Sequence, residues 1–308
     1  MEEKATRIAY GETLASLGET NPNIVVLDAD LSGSTKTSVF AKKFPERFIN
    51  VGIAEQDLMG TAAGIASTGK IVFVSTFAMF AAGRAYEQIR NTIAYSKFNV
   101  KICPSHAGIS VGEDGASHQA IEDIALMRVI PEMKVLCPAD AIETKKMLEK
   151  AIEYNGPVYI RLARLATPII FDENYNFEIG KISTLREGND VTIAAMGMLV
   201  GEAIEASKIL EKEGIKARVL NVSTIKPLDK ETILKAAKET KFIVTAEEHS
   251  VIGGLGSAIS EFLSEEYPTN VYKIGIYDRF GESGTGKELL EKFGLKAKDI
   301  VAKVKEKL

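Results

Sequence analysis

Short apolar runs alternate along the chain with longer segments of helical periodicity. In the first half these runs, each short enough for a buried strand, lie at 23–28, 48–51, 71–75, 100–104, 133–137 and 157–162. Near-continuous apolar strands that alternate with helices are typical of a parallel sheet covered on both faces. The first half is therefore predicted to be a three-layer α/β domain.

The same alternation returns after an irregular connection. From residue 167 to residue 189 the periodicity disappears, and Pro168, Asp172 and Gly180 interrupt the chain. Beyond this connection, further strands are predicted at 191–196, 217–222, 242–246 and 271–277, with amphipathic helices at 201–212, 230–239 and 255–265. We predict a first domain at 1–167, a linker at 168–188 and a smaller second α/β domain at 189–308.

Composition places the chain among soluble globular proteins, with 308 residues, 45% hydrophobic and 26% charged. The formal net charge is −4 and the charges are interspersed, which argues against a nucleic-acid partner. The longest apolar stretch, 71–82, is too short to span a bilayer, and the acidic N-terminus is unlike a signal peptide. Cys103 and Cys137 both end apolar runs, as buried thiols of a reducing compartment would. A cytoplasmic protein without a membrane partner is predicted.

A single carboxylate marks one junction in this pattern. Glu55 stands where the apolar run 48–51 turns into an alanine- and glycine-rich helix. One βα unit later, Phe77 and Phe80 follow the strand at 71–75. Both features have ordinary explanations, since an acid in a first turn complements the helix dipole and a phenylalanine pair one turn apart is usually core.

Polar clusters follow two of the predicted strands, at 28–34 and at 105–118. The carboxyl ends of parallel strands meet at one edge of the sheet, where ligands bind. The second cluster contains His106, Asp114 and His118 among glycines that would let the backbone approach a ligand closely. A surface loop could look similar, but only three histidines occur in the chain and two of them lie here, which favours function.

The segment 281–287, GESGTGK, fits the first seven positions of a phosphate-binding P-loop. Glu288 stands where that motif needs Ser or Thr for magnesium, and only 21 residues follow Lys287. An ATPase is therefore the weaker rival, and a glycine-rich turn before the terminal helices is the favoured interpretation. The third histidine, His249, is interpreted as structural or as part of an interface.

Four motifs in order together resemble transketolases: VGIAEQ at 51–56, STFAMF at 75–80, GEDGASH at 112–118 and DRFG at 278–281. The resemblance covers the pyrimidine-binding and C-terminal domains of that family. The family's third domain, whose GDG motif and asparagine hold magnesium and the diphosphate of thiamine diphosphate, has no counterpart in the sequence. The chain thus resembles the C-terminal subunit of a split transketolase.

The resemblance implies cofactor-binding roles. The family glutamate that matches Glu55 hydrogen-bonds N1′ of the cofactor's aminopyrimidine across a subunit boundary and activates the cofactor. Phe77 and Phe80 match residues that pack on the pyrimidine, and Asp30 matches a cofactor-side loop residue. Gly83 stands where many relatives have a third aromatic residue. We further expect apolar neighbours to shield the carboxyl group of Glu55 from water, namely Ile53, Leu58 and Met59.

Substrate contacts are implied in the same way. Asp114 and His118 match the family's contacts to sugar hydroxyls and to the developing charge, which makes His118 the second catalytic candidate. The positions that bind the sugar phosphate are matched by Ser34, His106 and Arg164. An arginine suits a phosphate because it forms bidentate, charge-assisted bonds. Arg161 lies close enough to Arg164 in sequence to be the alternative.

The implied activity is that of the pentose phosphate pathway: a two-carbon ketol unit passes from a ketose phosphate to an aldose phosphate. This chain is expected to supply no metal ligands, and the magnesium or calcium would be held mainly by an N-terminal partner subunit. Two copies of each chain would form an active heterotetramer with twofold symmetry. Without the partner, surface around Met59, Phe77 and Phe80 is expected to be exposed.

Three alternatives remain from the sequence. A 1-deoxyxylulose-5-phosphate synthase-like enzyme shares the GIAEQ run and a similar histidine loop. The β subunit of a 2-oxoacid dehydrogenase shares the two-domain plan but fits the GEDG and DRFG runs less well. A structural or regulatory paralogue is the alternative that is not an enzyme.

Overall fold

The computed structural model describes residues 2–308, which fold into two α/β units. In this part of the chain the strands are β1 (Glu3–Ala5), β2 (Ile24–Asp28), β3 (Phe48–Asn50), β4 (Ile71–Ser75), β5 (Val100–Ile102), β6 (Lys134–Leu136), β7 (Val158–Ile160), β8 (Ala166–Pro168), β9 (Ser183–Arg186), β10 (Val191–Ala195), β11 (Ala217–Asn221), β12 (Thr224–Lys226), β13 (Ile243–Ser250) and β14 (Val271–Ile276).

The α-helices of the same residues are α1 (Thr6–Thr20), α2 (Ser32–Thr35), α3 (Ser38–Lys43), α4 (Glu55–Ala66), α5 (Asp123–Val129), α6 (Ala141–Glu153), α7 (Leu199–Lys212), α8 (Lys230–Glu239), α9 (Leu255–Glu266), α10 (Gly286–Lys292) and α11 (Ala297–Lys307). Two π-helical segments, Phe80–Arg84 and Gln88–Ala94, lie between β4 and β5, and short 3₁₀ turns occupy Pro45–Arg47 and Ile109–Val111.

The first sheet has the strand order β12-β6-β7-β5-β4-β2-β3. Its strands are parallel except β12, which pairs antiparallel with β6. Successive residues of β4 enter opposite layers, as the twofold period of a strand requires. Phe73 packs with α1, α3 and α6, whereas Val72 and Val74 pack with α4, α5 and the π-helical segments. Helices therefore cover both faces of this sheet.

The second sheet has the order β14-β13-β10-β11-β9 and is parallel apart from β9. One face packs against α7 and α11, and the other against α8 and α9. The predicted fold class, two three-layer α/β domains with a parallel sheet in the first, is confirmed. No helix within residues 2–308 is long and apolar enough to cross a membrane.

Two short strands do not follow the predicted domain boundaries. The segment predicted as linker, 168–188, contains β9, which forms an edge of the second sheet. Strand β12 comes from beyond that segment but joins the first sheet, with Thr224 opposite Leu136 of β6. Strands of three or four residues show no periodicity in the sequence, and tertiary pairing alone defines them.

The two units also share a buried layer. The helices of the second unit contribute Leu255 and Ile259 to the same hydrophobic cluster that contains Ile124 and Met127 of α5. Contact between the units is thus made by core side chains as well as by sheet pairing.

Candidate active site

The candidate residues follow the carboxyl ends of adjacent parallel strands. Ser34 comes after β2, Glu55 after β3, Phe77 after β4, His106 after β5 and Arg164 after β7. These strands are neighbours in the order β7-β5-β4-β2-β3, and their pairings are all parallel. Because parallel strands end at the same edge, the residues gather at one edge of the first sheet.

Glu55 is the first residue of α4 and is 2% exposed. Its Oε2 accepts a hydrogen bond of 2.9 Å from Nη1 of Arg84, whose side chain is half exposed. Leu58 and Met59 are buried, as expected, but Ile53 is 79% exposed. The carboxylate is therefore shielded from water, but the expected contribution of Ile53 to this shielding was wrong, and Arg84 adds a cation that the sequence did not indicate.

An aromatic cluster stands beside this acid. The rings of Phe77 and Phe80 lie 6.1 Å apart and nearly parallel, and Phe77 stacks on His106 at 4.0 Å. His118 meets Phe80 edge-on at 5.2 Å. Met59 and Phe77 are themselves buried, so exposed surface around them is contributed by other side chains. Only Phe80 of that group is half-buried and available to a ligand.

A π-helical turn sets the position of Phe80. In the segment Phe80–Arg84 the amide of Ala85 bonds back to the carbonyl of Phe80 at 3.3 Å, and the turn is one residue wider than an α-helical one. This turn brings the guanidinium of Arg84 over the ring of Phe80 at 4.8 Å. A Cβ atom at Gly83 would lie 2.8 Å from Cε of Met79. The side chain of Met79 therefore occupies space next to Gly83, the position at which many relatives have a third aromatic residue.

His106 adopts a left-handed backbone conformation, with φ of 60°, and is 3% exposed. Its Nδ1 lies 2.8 Å from the hydroxyl of Ser105. Burial, followed by the positive charges of Arg7 and Arg164, lowers the pKa of His106 to about 3. The imidazole is therefore neutral at physiological pH.

Arg7 of α1 belongs to this site but was missed in the sequence, where an arginine in a first helix resembles an ordinary surface charge. Its Nη1 donates to the carbonyl of Ser34 at 2.7 Å, and its Nε is buried without a hydrogen-bond partner. Burial and the neighbouring Arg164 lower the pKa of Arg7. A buried, unpartnered guanidinium nitrogen beside a second cation fits an anionic ligand.

The two arginines after β7 lie in different surroundings. Arg161 is 6% exposed and pairs with Asp123 at 2.9 Å, with a further bond to the carbonyl of Ala120. Arg164 is one-third exposed and lies 3.4 Å from Asp114 and 3.3 Å from Glu113. Arg164 thus faces the site, whereas the charge of Arg161 is already paired inside the protein.

Asp30 lies on the loop after β2 with φ of 60°. Its Oδ1 accepts a bond of 3.0 Å from the side-chain amide of Asn50, the last residue of β3. The buried Asp28 holds the same loop by accepting from the hydroxyls of Thr35 and Thr37 at 2.7 and 2.9 Å. The loop that carries Asp30 and the short helix α2 that carries Ser34 are therefore held at the sheet edge.

His249 lies away from this cluster, at the contact between the two units. It is fully buried, Nδ1 donates to the carbonyl of Ser250 at 2.7 Å, and Nε2 accepts from the amide of Ala125. Burial lowers its pKa to about 4. These contacts fit a structural role at an interface.

Comparison with known proteins identifies the family. Residues 2–169 match the family described as transketolase, pyrimidine binding domain, and residues 180–300 match transketolase, C-terminal domain. The chain belongs to the transketolase family. A Methanocaldococcus jannaschii protein named for a transketolase C-terminal section is 53% identical over 99% of this chain and 96% of its own length.

Two further relatives extend the comparison. The 6-deoxy-6-sulfo-D-fructose transketolase subunit of a Clostridium species is 44% identical over 98% of this chain and 94% of its own length. A solved structure titled as a split gene transketolase, inactive β4 tetramer, shares 60% identity and superimposes with a TM-score of 0.92, covering 98% of this chain and 97% of that one. Both transketolase relatives match this chain over nearly their full length.

Within residues 2–308 of this transketolase-family chain, no three His, Cys, Asp or Glu side chains are grouped so that they could hold a metal ion. The carboxylates nearest the site are already engaged, Glu55 by Arg84 and Asp114 by Arg164.

Proposed function

We propose that the chain is the subunit of a thiamine-diphosphate-dependent transketolase that supplies the pyrimidine side of the active site and the sugar contacts. The observation that carries this proposal is the buried carboxylate of Glu55 beside the stacked rings of Phe77 and Phe80. A hydrogen-bonding acid next to an aromatic wall suits a flat, nitrogen-containing ring.

The residues present fit the pyrimidine end of the cofactor. Glu55 would hold the ring through a hydrogen bond, and Phe80 offers a half-buried aromatic face beside it. Asp30, tied to Asn50, would approach from the loop after β2. When bound, thiamine diphosphate supplies the nucleophilic carbon, and the protein's task is to orient it and to hold a proton at Glu55.

The diphosphate and its magnesium or calcium are proposed to be held mainly by a partner chain. A divalent ion needs several oxygen ligands, and two carboxylates of the site, Glu55 and Asp114, are engaged by arginines. The Clostridium relative is named as a subunit, and the similar solved structure is titled split gene and inactive β4 tetramer. These names support an assembly that becomes active with a partner chain. We propose that the partner is the N-terminal subunit and that the assembly contains two copies of each chain.

A sugar phosphate is the proposed substrate class. The cations of Arg7 and Arg164 converge near the neutral His106, and Ser34 lies on the short helix α2 that Arg7 contacts. This arrangement suits a dianionic group, which Arg164 and the unpartnered Nε of Arg7 would neutralise. Asp114 and His118 would contact the sugar hydroxyls, and His118 would hold or release a proton at a substrate oxygen.

The proposal is tested by reconstitution. The chain is titrated with thiamine diphosphate and magnesium by calorimetry, alone and with a chain that carries the diphosphate-binding domain. Ketol transfer from xylulose 5-phosphate to ribose 5-phosphate is assayed in the same samples. We expect cofactor binding and transfer only in the mixture. Micromolar cofactor binding together with transfer by the lone chain would overturn the split-enzyme proposal.

The same assay separates the alternatives. Turnover of pyruvate without activity on xylulose 5-phosphate would favour the 1-deoxyxylulose-5-phosphate synthase-like or 2-oxoacid dehydrogenase-like enzymes. If the mixture transfers a ketol unit from a sulfonated sugar but not from a sugar phosphate, the proposed transketolase reaction stands and the proposed substrate class is wrong. A mixture that binds cofactor and turns over none of these substrates would favour the structural or regulatory paralogue.

A further inference from the structure

The histidine loop, residues 105–118, rests on the second unit of the chain. The amide of Ser110 donates to Oε1 of Glu248 at 2.5 Å, and these residues are 138 positions apart. Gln119, at the end of the loop, donates from Nε2 to the carbonyl of Ile109 at 3.1 Å and to that of Glu282 at 2.9 Å. The loop that carries His106, Asp114 and His118 is thus bonded to β13 and to the segment before α10.

The backbone of the P-loop-like segment, 281–286, lies in close contact with the histidine loop. A methyl group on Gly286 would lie 2.7 Å from the carbonyl oxygen of Ser110, and one on Gly281 would lie 1.7 Å from Oε1 of Gln119. Thr285 and Glu288 form a capping box at the start of α10, so this helix start is satisfied internally. The glycines therefore allow contact between two backbones, with no phosphate needed to explain them.

Glu248 supplies the buried carboxyl group of this contact. It is 3% exposed, and a methyl group on Gly108 would lie 2.4 Å from its Oε1, so its carboxylate fills the space under the loop. Arg161 bonds to the carbonyl of Glu248 at 3.0 Å while pairing with Asp123. A buried carboxylate that accepts a loop amide is costly to displace, which makes the contact rigid.

We propose that Glu248 and segment 281–286 form a loop seat, a part of the second unit that positions the substrate-binding histidine loop of the first. The seat gives the C-terminal domain a part in substrate recognition, because Glu248 and segment 281–286 contact the loop that carries His106, Asp114 and His118. This inference rests on the proposed function for its kinetic consequence, whereas the positioning itself can be measured on the chain alone.

Two glycines of the seat offer a matched pair of variants. Gly286→Ala directs its methyl group at the carbonyl of Ser110, whereas Gly284→Ala directs it at the side chain of Leu289, 3.2 Å away and outside the loop. Neither glycine requires a left-handed backbone. Glu248→Gln is a second probe, because it keeps the size of the side chain and replaces one of its two acceptor oxygens by an NH2 donor under the loop.

Hydrogen exchange of the purified chain, followed by mass spectrometry of peptides from 105–118, measures loop order directly. We expect faster exchange in Gly286→Ala and Glu248→Gln, and wild-type exchange in Gly284→Ala. In the reconstituted enzyme the first two should lose about tenfold to 100-fold in kcat/KM for the sugar phosphate, as misplaced contact groups do. The Kd for thiamine diphosphate should change less than kcat/KM, since Glu55 and Phe80 lie outside the loop and only the ring contacts of His106 and His118 connect them to it.

Each result has a distinct meaning. Wild-type exchange in both Gly286→Ala and Glu248→Gln would overturn the loop seat, whatever the activity. Faster exchange with unchanged kcat/KM would overturn its role in substrate binding while leaving the proposed function intact. An inactive wild-type mixture with faster exchange in the variants would refute the proposed function and leave the positioning in place. If Gly286→Ala fails to fold, Glu248→Gln carries the test against the same Gly284→Ala control.

Discussion

The guanidinium of Arg84 and the carboxylate of Glu55 form an ion pair of 2.9 Å in which the acid is buried and the cation is half exposed. The same guanidinium lies over the ring of Phe80. One side chain of the π-helical turn therefore contacts both groups proposed to hold the pyrimidine. The key acid of the site has an internal partner before any ligand arrives.

Removing this partner should destabilise the chain. Arg84→Met leaves the buried carboxylate of Glu55 without its cation, and we expect a loss of about 1–3 kcal/mol in the free energy of unfolding by urea. Arg90→Met is the control, since Arg90 is exposed in the neighbouring π-helical segment. The double variant Arg84→Met/Glu55→Gln should recover part of the loss. Equal unfolding free energies for Arg84→Met and Arg90→Met would contradict a stabilising ion pair.

Glu55 itself is predicted to act on the cofactor and to contribute little to binding it. In the reconstituted enzyme, Glu55→Gln should lower kcat by at least about 10²-fold, because an amide cannot hold and release a proton as the carboxyl group does. The Kd for thiamine diphosphate, measured by calorimetry, should change by less than about tenfold. Parallel losses of binding and turnover would instead make Glu55 a binding group.

Arg164 is predicted to recognise the charged end of the sugar. Arg164→Met should cost about 1.5–3 kcal/mol with phosphorylated sugars, which is about 10–100-fold in kcat/KM. Unphosphorylated sugars serve as the internal control and should lose far less. If both substrate types lose equally, the phosphate is bound elsewhere.

His106 should report the binding of an anion. Its pKa, about 3 in the chain, lies well below the ordinary value because of burial and the neighbouring cations. Inorganic phosphate bound between Arg7 and Arg164 would stabilise the imidazolium, so the pKa should rise by at least about one unit. Nitrogen-15 NMR titration can follow it, because the chain has only three histidines. Chloride at equal ionic strength should leave the pKa unchanged, and an unchanged value in phosphate would argue against an anion site.

A buried acid predicts a pH dependence of stability. Glu143 of α6 accepts bonds from the amide of Ala139, the hydroxyl of Tyr175 and the amide group of Asn221, and burial raises its pKa to about 7. Between the ordinary value of 4.5 and about 7, the folded state holds more protons than the unfolded state. This contribution to stability is therefore present below pH 4.5 and is lost as the pH rises to 7.

The measurement compares urea unfolding of the wild type and of Glu143→Gln from pH 4.5 to pH 8. The difference in unfolding free energy should fall with rising pH by up to about 1.4 kcal/mol per unit and become flat above about pH 7. A constant difference over this range would show that Glu143 does not titrate in the folded chain.

Several features of this protein follow from its sequence alone. Buried parallel strands are continuous apolar runs, so β2, β4, β10 and β11 could be predicted where they occur. The order of strands and helices then placed Glu55, Phe77 and His106 near strand ends, and parallel strands end at one edge. Local patterning carries this information because each element buries its own apolar face.

Tertiary structure decided which polar groups meet. Arg84 reaches Glu55 across 29 positions, and Glu248 reaches Ser110 across 138. Such pairs produce no periodic pattern in the sequence, because a polar contact depends on how two distant elements pack together. Neither segment by itself indicates its partner. For the same reason the burial of Arg161 with Asp123, the inward position of Arg7 and the strand β12 in the first sheet became visible only in the folded chain.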